Sequence, residues 1–380
     1  MTKAIECPSN AERFPHFMLK EIYEQPETVR RMLKNLVDGA GRFIVPDGFL
    51  LTQELRRISK ITIAASGSSR HAGLVGKFML EKLARVLVEV DFASQYCYRD
   101  SVVWPDDLTV LISQSGTTVD TLAAMREARR KGSKSLAICN VPDSPLTQGS
   151  DATLLTYAGE EVAIAATKSF TTQLTALFLL SMYIAECRQT PFEGIDALQR
   201  ELKALPDAME RVLSLDKKCQ ELAVKFAGFS SLLMMGRDIE YPVALEGALK
   251  VKETSYIQAE GYPTGEIKHG PAALISENLP IVILAARDDN DAASVVRYER
   301  TVSNIREFTE RGVSIAALTT EGDREIANYT PYVIALPSVP VLLQPILEVI
   351  PLQMLAYHIG VLRGYDVDRP RNLSKSVLVE

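Results

Sequence analysis

A chain of 380 residues, 47% hydrophobic and 24% charged, is an ordinary globular protein with room for two domains of common size. Its formal net charge of −6 argues against a general nucleic-acid-binding surface. Five scattered cysteines (Cys7, Cys97, Cys139, Cys187, Cys219) form no CxxC pair, so neither a disulfide framework nor a zinc site is expected, and the usage is cytoplasmic.

No basic region followed by an apolar core opens the chain, so no signal peptide is read there. Residues 1–25 read as loosely ordered, punctuated by Pro8 and Pro15 with Pro26 just beyond. A helix over Glu27–Val37 and an amphipathic segment over Leu51–Ile58 follow as scaffold. From Ile61 strands and helices alternate: strand Ile61–Ala65, helix Ala72–Ala84, strand Val86–Phe92, strand Leu108–Ile112, a helix from Val119 to Arg130, and strands Ser135–Cys139 and Ala152–Thr156. A long helix, Lys168–Cys187, closes the unit. Its most apolar run, Leu174–Ala185, is shorter than the ~20 residues of a membrane span, so a soluble protein is expected.

The same order returns: strand Leu232–Gly236, helix Val243–Gln258, strand Ile281–Ala285, helix Val296–Arg311, strands Ser314–Leu318 and Tyr332–Leu336, and an apolar helix Leu342–Arg363. Matching strands lie about 170 to 180 positions apart, which implies two tandem copies of one α/β unit with parallel sheets. The joint falls near Gln189–Asp216, where Pro191 and Pro206 flank a charged helical segment.

Between strand and helix in the first copy lies the turn Ser113-Gln114-Ser115-Gly116-Thr117-Thr118. Free N–H groups at a helix start, the helix dipole and several hydroxyls suit a phosphomonoester without a metal. The turn lacks the lysine of a Walker loop and the three-glycine spacing of a dinucleotide fingerprint, so no nucleotide cofactor is expected. Simple helix capping is the other reading of the same residues. A second hydroxyl cluster, Ser66–Ser69, ends the first strand, whereas the equivalent turns of the second copy, Gly236-Arg237-Asp238 and Ala286-Arg287-Asp288, carry none. The anion therefore belongs to the first copy.

Chemistry of another kind lies in the second copy and the tail. Glu246, Lys250, Glu253 and Ile257 share one face of the helix Val243–Gln258. Such a stripe is ordinarily a solvated ion-pair face, but apolar neighbours on nearly every side imply that this helix is buried and the charges partnered. The Gly- and Pro-punctuated segment Gly261–Pro271 carries His269, either a proton shuttle or a surface histidine. The ending Asp366–Glu380 closes on the apolar Val377–Val379 and reads as a docked tail that holds Lys375 in place.

The segments SQSGTTVDTL, AICNVPDSPL, AATKSFTTQLTAL, ALEGALKVKETSYIQAEGYPTGEIKHGPAAL, IPLQMLAYH and DVDRPRNLSKSV together resemble the sugar isomerase (SIS) half of the glucosamine-6-phosphate synthase family, over about Phe17 to Glu380. The resemblance implies two tandem SIS domains, each a parallel flavodoxin-like sheet flanked by helices. It divides the chain into a lead-in (1–50), a phosphate-binding domain (51–195), a domain with the catalytic helix and histidine loop (196–365) and a tail (366–380). It implies that Ser68, Ser69, Ser113, Gln114, Ser115 and Thr118 hold a sugar phosphate. Glu253 would be the base moving a proton between C1 and C2, Lys250 would stabilise the enediol(amine) oxygen, and Lys375 would form a Schiff base with the ketose carbonyl. His269 would open the sugar ring from the partner subunit's site, which implies a homodimer.

The chain departs from the family in three ways. It begins Met1-Thr2-Lys3 with no glutaminase domain, so glutamine hydrolysis is not expected and a separate source would supply ammonia. Thr117 stands where the family typically has glutamate, and Ser374 where it has alanine. The expected activity is a phosphosugar isomerase or aminotransferase on fructose 6-phosphate and glucosamine 6-phosphate, with deamination or ammonia-dependent synthesis open to the same site. A fructosamine-6-phosphate deglycase and a non-catalytic phosphosugar sensor are the alternatives. No cofactor, metal, nucleic acid or membrane is expected.

Overall fold

The computed structural model describes residues 14–192 and 194–377. Cys7, Pro8 and the end of Val377–Val379 lie outside them.

Two helices, α1 (Phe17–Tyr23) and α2 (Gln25–Leu36), open the structure, so the described part of the segment expected to be loosely ordered is largely helical, with Met18, Glu21 and Ile22 buried. The reason is a cap from the far end of the chain: the Asp368 carboxylate accepts the backbone N–H of Phe17 at 2.9 Å and of Met18 at 2.8 Å. Those N–H groups have no helical partner of their own.

The first α/β unit follows as α3 (Thr52–Arg57), β1 (Lys60–Ala65), α4 (Gly67–Leu83), β2 (Leu87–Phe92), α5 (Ala93–Tyr96), β3 (Leu108–Ser113), α6 (Val119–Arg130), β4 (Lys134–Cys139), α7 (Pro145–Gly149), β5 (Ala152–Leu155) and α8 (Lys168–Arg188). Next come α9 (Ile195–Leu213) and α10 (Asp216–Phe226). The second unit is β6 (Ser231–Gly236), α11 (Tyr241–Ser255), β7 (Gln258–Pro263), β8 (Ile281–Ala285), α12 (Ala292–Glu310), β9 (Ile315–Thr320), β10 (Tyr332–Leu336) and α13 (Gln344–Leu362). Every ladder is parallel, in the orders β2-β1-β3-β4-β5 and β7-β6-β8-β9-β10. The two sheets thus share one topology, with the strand order reversing between β1 and β3 and again between β6 and β8.

Three expectations are corrected. Residues expected to end a helix and begin a loop form β7, the counterpart of β2. It pairs with β6 alone, and Gly261 and Pro263 weaken its strand pattern. Gly261 is needed there, because a Cβ would meet the Leu245 backbone at 2.6 Å where α11 lies on the strand. Pro206 does not flank a helix but sits inside α9, whose apolar face of Leu198, Leu202, Leu205, Met209 and Val212 is buried and carries the helix through. Finally, α8 and α13 are long and apolar enough to cross a membrane, yet both are core helices, buried along most of their length. In α8 the hydroxyls of Thr172, Thr175 and Ser181 bond back to helix carbonyls, which lets a partly polar sequence be buried on every side.

Candidate functional site

The reversal point of the first sheet builds the site. β1 and β3 run side by side, with Ala65 beside Ile112, so the residues that follow them emerge together at the carboxyl edge. After β1 the chain enters α4 directly: Gly67, Ser68 and Ser69 form its first turn rather than a preceding loop. After β3 the segment from Ser113 to Thr118 folds on itself. The Ser113 hydroxyl accepts the Gly116 N–H at 3.0 Å, and Ser115 accepts the Thr117 N–H at 3.2 Å. Gly116 has φ +68°, and a Cβ there would lie 2.1 Å from the Ser144 Oγ, so conformation and space both demand glycine. Two hydroxyl-bearing helix starts therefore face one crevice, an arrangement that can receive an oxyanion.

α11 packs against α4 and brings charge to the same place. Glu246 and Lys250 have fully buried side chains and Glu253 is 18% exposed, so the stripe is not a solvated face. One Glu246 oxygen accepts the Ser68 hydroxyl at 2.8 Å; the other lies 2.8 Å from the His71 Nδ1. The Lys250 ammonium reaches Ser68 at 3.2 Å and Glu246 at 3.4 Å, and it pairs with Glu253. Burial pushes the Glu253 carboxyl upward, and Glu246 adds to this; Lys250 offsets only part, so the net shift is up. Burial also opposes the charges of Glu246 and Lys250, but their partners win: Lys250, then His71 and Ser68, lower Glu246, and Glu253 ahead of Glu246 raises Lys250. The result is an ionised pair behind a carboxylate whose proton affinity is raised, which makes it a stronger base.

The tail supplies a lysine from the other side. Lys375 Nζ donates to Glu161 Oε2 and to the Ala163 carbonyl, each at 2.6 Å, in the connection between β5 and α8. Glu161 is itself fixed by the N–H groups of Thr167 and Ser169, both at 3.0 Å. Two residues beyond Lys375, the Val377 carbonyl accepts the Val119 N–H at the start of α6 at 3.2 Å. The tail thus closes over the Ser113–Thr118 turn.

His269 is not part of this assembly within one chain: it ends a short 3-10 turn and is exposed. Sequence reasoning gave no role to His71 and Glu161. Their signals were faint, a histidine one turn into the helix after a serine cluster and a glutamate a few residues ahead of a long helix. Both act through partners 175 and 214 positions away. In the second unit the equivalent crevice is filled. Arg297 lies buried with Glu240 and Glu348, its guanidinium donating to Ser294 and to Gln344 at 3.1 Å each.

Known proteins resemble this chain along nearly its whole length. It is 45% identical over 374 residues to the glutamine–fructose-6-phosphate aminotransferase (isomerizing) of Chlorobaculum tepidum, covering 97% of this chain and 59% of that protein. The protein of the same name from Thermus thermophilus is 45% identical over 371 residues, with the same two coverages. The chain therefore spans about three fifths of the length of these curated relatives. The C-terminal domain of the glucosamine-fructose-6-phosphate aminotransferase of Francisella tularensis superposes with a TM-score of 0.89 at 37% identity, over 95% of this chain and 100% of that one. The SIS domain model matches twice, at residues 54–183 and 225–363, one match on each sheet. The chain belongs to the SIS domain family, as a tandem pair.

Proposed function

We propose that this protein is a cytoplasmic sugar-phosphate isomerase of the amino-sugar type, interconverting fructose 6-phosphate with aldose or aminoaldose 6-phosphates and taking ammonia from a separate source. The observation that carries this reading is the buried Glu246–Lys250–Glu253 array bonded through Ser68 to a hydroxyl-lined helix start. A proton shift between adjacent carbons needs an anchored phosphate, one carboxylate beside both carbons, and cationic charge for the developing oxyanion.

In this reading Ser68, Ser69, Ser113, Gln114, Ser115 and Thr118 hold the phosphate, and His269 of a second copy opens the sugar ring. Lys375 then attacks C2, forming a C=N bond and releasing water. Only a neutral amine can do so, so Lys375 must part from Glu161 and give up a proton before it attacks. Ammonia displaces the lysine from that imine. Glu253 takes a proton from C1 and returns it to C2 while Lys250 faces the oxygen that gains charge. The relatives' names supply the substrate class.

The test incubates purified protein separately with fructose 6-phosphate plus ammonium, with glucosamine 6-phosphate and with a fructosamine 6-phosphate, following sugars and ammonia. Turnover of either of the first two, abolished by Glu253→Gln with phosphate-ester binding kept, supports the proposal. Turnover of the third alone identifies a deglycase, and binding without turnover of any identifies a sensor.

A further inference from the structure

A cavity of about 590 Å³ opens between the lead-in helices and the β5–α8 connection. Glu21 lines it, 2% exposed, with one carboxylate oxygen spent and the other, Oε2, without a hydrogen-bond partner. The spent oxygen accepts the backbone N–H groups of Val162 and Ala163. In the same segment, 161–163, Lys375 grips the Glu161 carboxylate and the Ala163 carbonyl. The segment 161–163 thus lies in contact with both Glu21 and the tail lysine.

A buried carboxylate oxygen with nothing to accept from is costly, and the ligand that relieves it is a compact N–H donor carrying positive charge. The cavity's own cations are already engaged. Lys20 and Lys168 both pair with Glu24, and Arg31 donates to the Tyr157 carbonyl. Glu160 adds negative charge to the lining, and the ring of Phe17 lies beside it. Burial, with Glu161 close by, raises the Glu21 carboxyl to about 7 despite Lys168 and Lys375, so a bound cation would restore its charge.

We propose that this cavity is an ammonium site, with Glu21 as its ligand, and that the ion leaves one proton on the Glu21 carboxylate and passes as ammonia by the 161–163 segment to the sugar held at Lys375. The assignment rests on the reading under Proposed function for its purpose but not for its binding chemistry, and the two can be tested apart.

Glu21→Gln preserves size and the acceptor for Val162 while removing the charge. Methylammonium, titrated against potassium chloride at constant ionic strength and followed by saturation-transfer NMR of its methyl group, is expected to bind the wild type and at least fivefold more weakly to the variant. Glu21→Asp should recover part of that loss. In amination of fructose 6-phosphate the apparent KM for ammonium should rise at least fivefold in Glu21→Gln, with the KM for the sugar changing less than twofold. Equal methylammonium binding by wild type and Glu21→Gln, or equal displacement by potassium, overturns the site. Charge-dependent binding without any amination keeps the site and overturns the amination reading instead.

Discussion

Replacing Lys250 by methionine tests the buried charge array without any assumption about substrate. The ammonium it removes pairs with both Glu246 and Glu253, and the lysine side chain is wholly buried. Removing one partner of a buried ion pair costs about 3–5 kcal/mol. Glu246 keeps Ser68 and His71, and the 18% exposure of Glu253 lets water reach it, which places the loss near the low end, about 3 kcal/mol. At about 2.1 cal/mol/K of unfolding entropy per residue, 380 residues give about 0.8 kcal/mol/K, so the melting temperature should fall by about 4 °C. The sign of the pH dependence follows. In the wild type the lowered Glu246 pKa gives stability that is present above the ordinary 4.5 and lost on acidification. In the variant both carboxylates are pushed up, so their penalty is full at high pH and disappears as they take up protons. The gap between the two proteins should therefore narrow from pH 8 to pH 5 in differential scanning calorimetry. A gap below about 1 °C at pH 8, or one that widens in acid, refutes the argument.

Gly116→Ala combines a strained positive φ with a clash against Ser144, so it should weaken inorganic phosphate or hexose 6-phosphate binding at least tenfold by calorimetry. Glu161→Gln removes a charge-assisted bond worth about 1.5 kcal/mol or more, so trypsin should cleave the tail at Lys375 about tenfold faster. Glu348, buried against Glu240 and Arg297, has its carboxyl pushed well up by burial first and by Glu240 second. A raised acid costs stability as pH climbs past its unfolded value, so Glu348→Gln should match the wild type near pH 5 and melt higher at pH 9.

Which features were legible follows from where their causes lie. β1, β3, β4, β6, β8 and β9 are buried on both faces, and such strands read as apolar runs. The tandem repeat was visible for the same reason, since corresponding runs recur at a fixed separation. β7 was missed because an edge strand tolerates Gly261 and Pro263 and is half exposed. The helix α1 was missed because its cap, Asp368, lies some 350 residues away. In the site, the stripe of Glu246, Lys250 and Glu253 could be read from helical spacing, and its burial from the apolar residues around it. What spacing could not supply was the partner set: Ser68 and His71 meet Glu246 only because α4 and α11 pack together. Nor could it supply Glu161, which meets Lys375 only once the tail has docked.

The central claim, that Glu253 moves a proton between neighbouring sugar carbons, is tested most directly by proton NMR of fructose 6-phosphate in deuterium oxide. The wild type should exchange one C1 hydrogen for deuterium, and Glu253→Gln should slow that exchange by about 10²–10⁴-fold. Exchange at the wild-type rate in Glu253→Gln, or none in a wild type that binds the sugar phosphate, contradicts it.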